Sequence, residues 1–323
     1  MGPQVQVVLV GFPEEVARRR VGTGWVALVR RRPSARKPPS FAQLLRVSRA
    51  GREDLLQRAP ELASLTDKSV VVIGGGGLGS ALVTEFGRLP LRRLAVIDGD
   101  VVDAATSVRF PSAFRFSGHP KNEALLHLAN ESQPFTELVA IYNRVGAARP
   151  ELNGEDQHGY LTGVVKEADL VIDATADVDA QFYLSELCRE QGSAYLQAEA
   201  TPGVWGGLVA LYRPGEALCW VCLQHYLADE DDDTVPAPPQ GTMPDVQPPG
   251  CAAPTYTGTG FDLTTIAMHG MRLATSYLTG DAGYGQFTDA VFTLRLRDAD
   301  GRPVPATWTA HHPGQHPACR NHR

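Results

Sequence analysis

The sequence predicts an α/β protein, a doubly wound (Rossmann-like), mostly parallel sheet with an antiparallel C-terminal extension pinned by metal. Three observations predict it. Apolar runs of the type that lie buried in parallel sheets recur at Ser69-Val70-Val71-Val72-Ile73, Leu94-Ala95-Val96-Ile97-Asp98 and Leu170-Val171-Ile172-Asp173. The first runs directly into Gly74-Gly75-Gly76-Gly77-Leu78-Gly79 and a helical stretch. Beyond Gly207 the strand-helix alternation stops, and strands close the chain.

In order along the chain, residues 4–10 and 24–30 read as short strands with a helix between them, followed by the Pro-, Ser- and Arg-rich linker RRRPSARKPPS. Residues 1–40 are therefore set apart as a small segment of unknown role, and 41–323 as the main domain. Apolar spacing at Leu44, Leu45, Val47, Leu55, Leu56 and Leu62 predicts helices leading into that domain. After the glycine run and the second strand come a helix from about Pro120, a strand near Leu138, and the strand at 170–173. A helix over 179–191 and strands at 194–197 and 208–212 follow. The acidic, proline-rich stretch 229–250 reads as a mobile crossover loop, about 228–252. Leu263, Ile266, Ala267, Leu273 and Tyr277 mark a one-faced helix over 261–278, and strands at 290–296 and 306–310 end the chain.

With 323 residues and 43% hydrophobic content, the chain can bury a large core without disulfides. Five cysteines, no cationic-then-apolar leader and no apolar run of bilayer length predict a reducing cytoplasm and no membrane partner. Under those conditions paired cysteines hold metal more often than they form bridges. The net charge of −6 is uneven: residues 1–60 carry twelve Lys/Arg against four Asp/Glu, or +8, leaving −14 for the rest. Arg18-Arg19-Arg20 and Arg30-Arg31-Arg32 lack the interleaved aromatics that stack bases, so nucleic acid is not expected as a partner.

Gly74-x-Gly76-x-x-Gly79 after a buried strand is the turn that lets backbone N–H groups at a helix start approach phosphate, and Asp98 follows at the distance suited to ribose hydroxyls. Alone this pattern leaves NAD and ATP both open. Arg109 and Lys121, which follow Asp98-Gly99-Asp100, favour ATP, because cleavage between its α- and β-phosphates builds charge that cations stabilise, whereas hydride transfer needs no such cations. Cys219-Trp220-Val221-Cys222 and Cys319-Arg320-Asn321-His322 are two C-x-x-[CH] pairs that can meet as one tetrahedral zinc site, with His316 a rival fourth ligand. Cys188 reads as core, and His269 is given no role.

The ordered set GxGGLG, D-x-D, Arg, G-x-P-K, an acid-terminated strand and C-x-x-C resembles the ThiF/MoeB/HesA family of adenylyltransferases, which is related to ubiquitin-activating enzymes. The resemblance covers roughly residues 50–323. It implies an ATP-dependent adenylation domain, with Gly74, Gly76 and Gly79 at the phosphates, Asp98 at the ribose, and Arg109 and Lys121 at the triphosphate. Where the family has Asn three positions before its Arg, this chain has Thr106. Where it has the Mg²⁺-holding acid, this chain has Ala176, so the metal passes to Asp177, with Asp173 as second choice. The resemblance further implies Cys251 as a thioester-forming nucleophile and Arg58, or Arg52, as an arginine lent to a neighbouring subunit's γ-phosphate. It implies a homodimer whose partner is a ubiquitin-like or sulfur-carrier protein, or peptide, with a flexible C-terminal tail. The rival readings are a peptide-modifying adenylase of a natural-product pathway, a catalytically silent partner of a heterodimeric activating enzyme, and an NAD-dependent oxidoreductase.

Overall fold

The computed structural model describes residues 4–32, 41–132, 134–146, 157–230, 234–239, 241–242, 245–246 and 255–322. The chain divides into two units, Met1–Pro60 and Glu61–Arg323.

The first unit is a three-stranded antiparallel sheet in the order β1-β2-β3, with β1 Gln4–Ala17, β2 Arg20–Arg32 and β3 Phe41–Val47. No helix separates the first two strands, contrary to the sequence expectation. The alternation that begins at Val5 continues through a long hairpin, and Arg19, at φ 62, turns the chain while its N–H donates to Glu15 Oε1 at 2.6 Å. The helices expected over 41–65 also give way to a strand, a four-residue helix α1 (Arg52–Leu55) and a 3₁₀ turn at Pro60–Asp67. Pairing of β3 with β2 from Trp25↔Val47 to Arg31↔Phe41 is the reason. It also groups residues 41–60 with the head of the chain, where the sequence placed the boundary at 40. The predicted linker lies largely outside the described residues.

In the second unit, β4 (Ser69–Ile73), α2 (Gly77–Phe86) and β5 (Arg93–Ile97) form the opening strand-helix-strand. Then come α3 (Ala113–Phe116), α4 (Lys121–Ser132), β6 (Glu137–Ile141), α5 (Gln157–Lys166), β7 (Leu170–Asp173), α6 (Val178–Gln191) and β8 (Ala194–Ala200). β9 (Gly206–Tyr212), α7 (Trp220–Asp229), the two-residue pair β10 (Asp245–Val246) and β11 (Thr255–Tyr256), α8 (Gly260–Thr279), β12 (Val291–Arg297) and β13 (Pro303–His311) complete it. Neither α5 nor α7 was expected. Of the crossover segment expected at 228–252, residues 231–233, 240, 243–244 and 247–252 lie outside the described residues.

The eight-stranded sheet runs β13-β12-β9-β8-β7-β4-β5-β6. Its members from β8 to β6 are parallel, and β9, β12 and β13 are antiparallel. Because successive side chains on a strand alternate faces, β4 splits its apolar run between two cores. Val70 and Val72 join Leu82, Phe86, Leu125 and Ile266 on one side, while Val71 and Ile73 join Leu161, Leu184 and Leu223 on the other. From β4 the chain winds outward through β5 and β6, then returns to β7 on the opposite side. A crevice therefore opens at the carboxyl ends of β4 and β7, where doubly wound sheets hold ligands. Among the described residues no helix is long and apolar enough to cross a membrane.

Candidate functional site

A cleft of about 360 Å³ occupies that crevice. Gly74 ends β4 at φ +90, and a Cβ there would meet the Ala174 carbonyl at 2.8 Å, so only glycine permits the turn. A Cβ on Gly79 would stand 1.8 Å from the Gly74 oxygen; this glycine serves helix-strand closeness and does not line the cleft. Gly76, which precedes α2, has nothing within 4 Å of its would-be Cβ, leaving the helix start open to a ligand.

Asp98 at the end of β5 accepts from Gly75 N at 2.6 Å and from Asp100 N at 2.7 Å, which ties the glycine turn to the next strand. Burial pushes its carboxyl above the ordinary range, partly offset by the charge of Lys121. Lys121 begins α4, is 7% exposed and donates to Asp100 Oδ2 at 3.0 Å. Arg109 follows the 3₁₀ turn Ala104–Val108, whose N-cap Asp103 accepts from Ala105 N at 3.0 Å. Thr106 donates its hydroxyl to the Asp103 carbonyl at 2.6 Å, and Thr106, Arg109 and Lys121 all line the cleft with Asp98 and Asp100. The fold thus gathers residues that lie far apart in sequence onto one opening.

The β7–α6 turn forms another wall through Ala174, Thr175, Ala176 and Asp177. Asp177 is the N-cap of α6 and accepts from Ala180 N at 2.9 Å. Asp173 stands behind this wall: it is 1% exposed, and burial raises its carboxyl to about 6 against the hydrogen bonds from Thr175 and Tyr195. Sequence reasoning missed Asn143 and Arg144, which line the cleft from the end of β6 and are held by Gln157 Nε2 through Asn143 Oδ1 (2.8 Å) and the Arg144 carbonyl (2.6 Å). Their only signal was position, polar residues within three places of the end of a parallel strand. Val204, at φ 51, and Thr257, whose buried hydroxyl has no hydrogen-bond partner among the described residues, are further lining residues the sequence did not reveal.

A second cluster lies where α7 begins. The ligand atoms of Cys219, Cys222, Cys319 and His322 all fall within 4.8 Å of one another. Cys219 Sγ is 3.6 Å from the sulfurs of both Cys222 and Cys319, near the ~3.8 Å that ligands 2.3 Å from a tetrahedral metal would show. His316 N donates to Cys222 Sγ at 3.3 Å and Asn321 Nδ2 to Cys219 Sγ at 3.7 Å, bonds suited to thiolates. His322 Nε2 is buried without a hydrogen-bond partner among the described residues, as a ligand atom would be. These residues fit a metal of zinc chemistry. The rival His316 is engaged elsewhere: Nε2 contacts Asp229 Oδ2 at 2.9 Å and Nδ1 accepts from Ala318 N at 3.1 Å.

Cys188 is fully buried in the core, and burial pushes its thiol far up, as expected of an inert residue. His269 stacks on Trp308 at 4.1 Å, and burial lowers it to about 4. Arg58 and Arg52 fall in the first unit. Cys251 lies outside the described residues.

A model of the ThiF family matches residues 43–310. Over 327 residues the chain is 31% identical to the uncharacterized protein y4oA of Sinorhizobium fredii, a match covering 98% of this chain and 53% of that protein. Protein y4qC of the same organism is 30% identical over 294 residues, covering 89% of this chain and 49% of that one. Ubiquitin-like modifier-activating enzyme 5 of Branchiostoma floridae is 23% identical over 184 residues, or 56% of this chain and 44% of its own. The chain spans about half the length of these curated relatives. Among solved structures, the microcin C7 biosynthetic enzyme MccB in complex with N-formylated MccA superposes with a TM-score of 0.59 at 14% identity, covering 80% of this chain and 69% of that one. E. coli MccB with ATP gives 0.57 at 15% identity, covering 80% and 68%. At these identities the likeness is one of fold.

Proposed function

The chain belongs to the ThiF family, and from that premise we propose that its cleft binds MgATP and converts a carboxylate at the end of a ubiquitin-like or sulfur-carrier protein, or peptide, into an acyl-adenylate. The observation that carries this reading is the meeting of Arg109 and Lys121 with the glycine turn in one cleft. The open start of α2 would take phosphate, Asp98 the ribose, and Asn143 the far end of the nucleotide. The carboxylate oxygen attacks the α-phosphorus, the bond to the β-phosphate breaks, and pyrophosphate departs with its charge offset by the two cations. Mg²⁺, held by Asp177, would neutralise phosphate charge.

Five further assignments belong to this proposal. Zinc in the cysteine-histidine cluster ties the C-terminal turn to α7 and contributes folding energy. Cys251 takes the acyl group as a thioester by displacing AMP. The four described thiols are free, in keeping with a cytoplasmic protein. A homodimer covers Val108 and Phe261, which are 72% and 74% exposed beside the cleft, and Arg58 serves the neighbouring subunit. Fold likeness to MccB favours the peptide-modifying reading as the alternative.

The test is pyrophosphate exchange into ATP, measured with and without peptides ending in a free carboxylate. Exchange that depends on the peptide supports adenylation. Nicotinamide binding without exchange would sink it in favour of a dehydrogenase, and no exchange with any carboxylate would leave a silent partner.

A further inference from the structure

The turn that presents Asp177 to the cleft is tied to the core by a short hydrogen-bond relay. Asp173 Oδ1 accepts from Thr175 N at 2.8 Å and from Thr175 Oγ1 at 2.7 Å, while Asp173 Oδ2 accepts from Tyr195 Oη at 2.8 Å. The Thr175 oxygen in turn accepts from Asp177 N at 3.3 Å. Between those two residues Ala176 adopts φ 55, a left-handed conformation that a residue with a Cβ rarely takes. Such a conformation persists where its surroundings over-determine it, and here the bonds on both sides of Ala176 do so. The anchor itself is rigid: Tyr195 is 1% exposed and lies 5.6 Å, ring to ring, from Tyr212 on β9.

We infer that Asp173 is a positioning residue, which acts through the Thr175 hydroxyl to hold Ala176 left-handed and thereby set Asp177 in the cleft wall, without touching nucleotide or metal. The inference rests on reading the cleft as an MgATP site. It separates Asp173 from a ligand role on chemical grounds. Asparagine at this position keeps an acceptor oxygen for both Thr175 donors and can donate its amide hydrogen to the Tyr195 oxygen. A metal-holding carboxylate has no such neutral substitute, because its charge is what binds.

The experiment is calorimetric titration of the full chain with MgATP, with a thermal melt of each variant to show that it is folded. Asp173→Ala, which removes the acceptor, should weaken MgATP binding roughly tenfold or more, and the conservative Asp173→Asn should restore most of that loss. Thr175→Val, which keeps shape and loses the relay, should weaken MgATP binding roughly tenfold or more. Adding Ala176→Gly to Thr175→Val should recover most of that loss, since glycine takes positive φ without help. A structural defect elsewhere would not respond to glycine at 176. Equal binding by Thr175→Val, or no recovery by glycine, overturns the relay while the cleft reading stands. A loss in Asp173→Asn matching that of Thr175→Val overturns it in favour of a ligand. An unaltered protein that binds no MgATP removes the cleft reading and the relay together.

Discussion

The cleft and the cysteine-histidine cluster are both assembled from the ends of elements, yet one leaves room between its polar groups and the other closes on itself. In the cluster, four ligand atoms converge within 4.8 Å, three of the residues are buried, and neighbouring N–H groups aim at the sulfurs. In the cleft, backbone at positive φ at Gly74, Ala176 and Val204 shapes walls on which Asp98, Asp100, Arg109 and Lys121 stand around open space. A closed donor set can contribute to folding but has no room for a substrate. An open set held by strained backbone costs stability and is ready for chemistry. The two regions should therefore separate cleanly under mutation, one through stability and the other through activity.

The largest effect should come from the cluster. Cys219→Ser, or prolonged treatment with a strong chelator, should lower unfolding stability by at least about 3 kcal/mol, and metal analysis of the unaltered chain should find zinc in a one-to-one ratio that the variant loses. A melting curve that ignores both treatments would erase the contrast, leaving the cluster as packed thiols. Next in size, Lys121→Ala should reduce pyrophosphate exchange by a factor of about 10² to 10³, equivalent to ~3–4 kcal/mol of transition-state stabilisation, with little change in melting. Because Lys121 is itself buried and its charge also faces Asp98, the melt is measured beside the exchange to separate lost chemistry from lost folding. Full exchange in that variant would take Lys121 out of the site.

The parts of this contrast that were legible in the sequence are those that leave a local mark. Glycines that cannot be replaced, a strand with four apolar residues in a row, and one cysteine pair with one Cys-x-x-His pair are each visible within a few residues. The doubly wound sheet followed from them, since strands alternate with helices after the glycine turn. What escaped notice was set by tertiary context. The head of the chain suggested helices over 41–65, where the competing signal was pairing with β2 across a gap no local pattern encodes. Asn143 looked like any polar loop residue until β6 placed it at the sheet's carboxyl edge beside Gln157 of α5. Asp177 follows the place where the resemblance implied an acid, and the left-handed turn at Ala176 beside it in the cleft wall leaves no mark in the sequence.

The smallest effect sharpens the comparison within the cleft wall itself, by asking what burial of the Asp173 charge costs. Burial raises that carboxyl from 3.8 to about 6, because loss of water outweighs the three donors that favour the anion. A folded-state pKa above the unfolded value means that the native state binds the proton more tightly. Its stabilising contribution is then full below about pH 3.8 and is lost as the pH rises through about 6. The loss amounts to about 3 kcal/mol at neutral pH, from ~1.4 kcal/mol for each unit of difference. Asp173→Asn carries no charge and should escape it. Measured by urea unfolding, the stability of Asp173→Asn relative to the unaltered chain should rise between pH 4 and 6 and level off above. Taking the difference between two chains cancels every other carboxylate. A difference that stays flat across that window would mean the anion is as comfortable behind the wall as in water, and the cleft would then stand on a polar base instead of a buried, strained one.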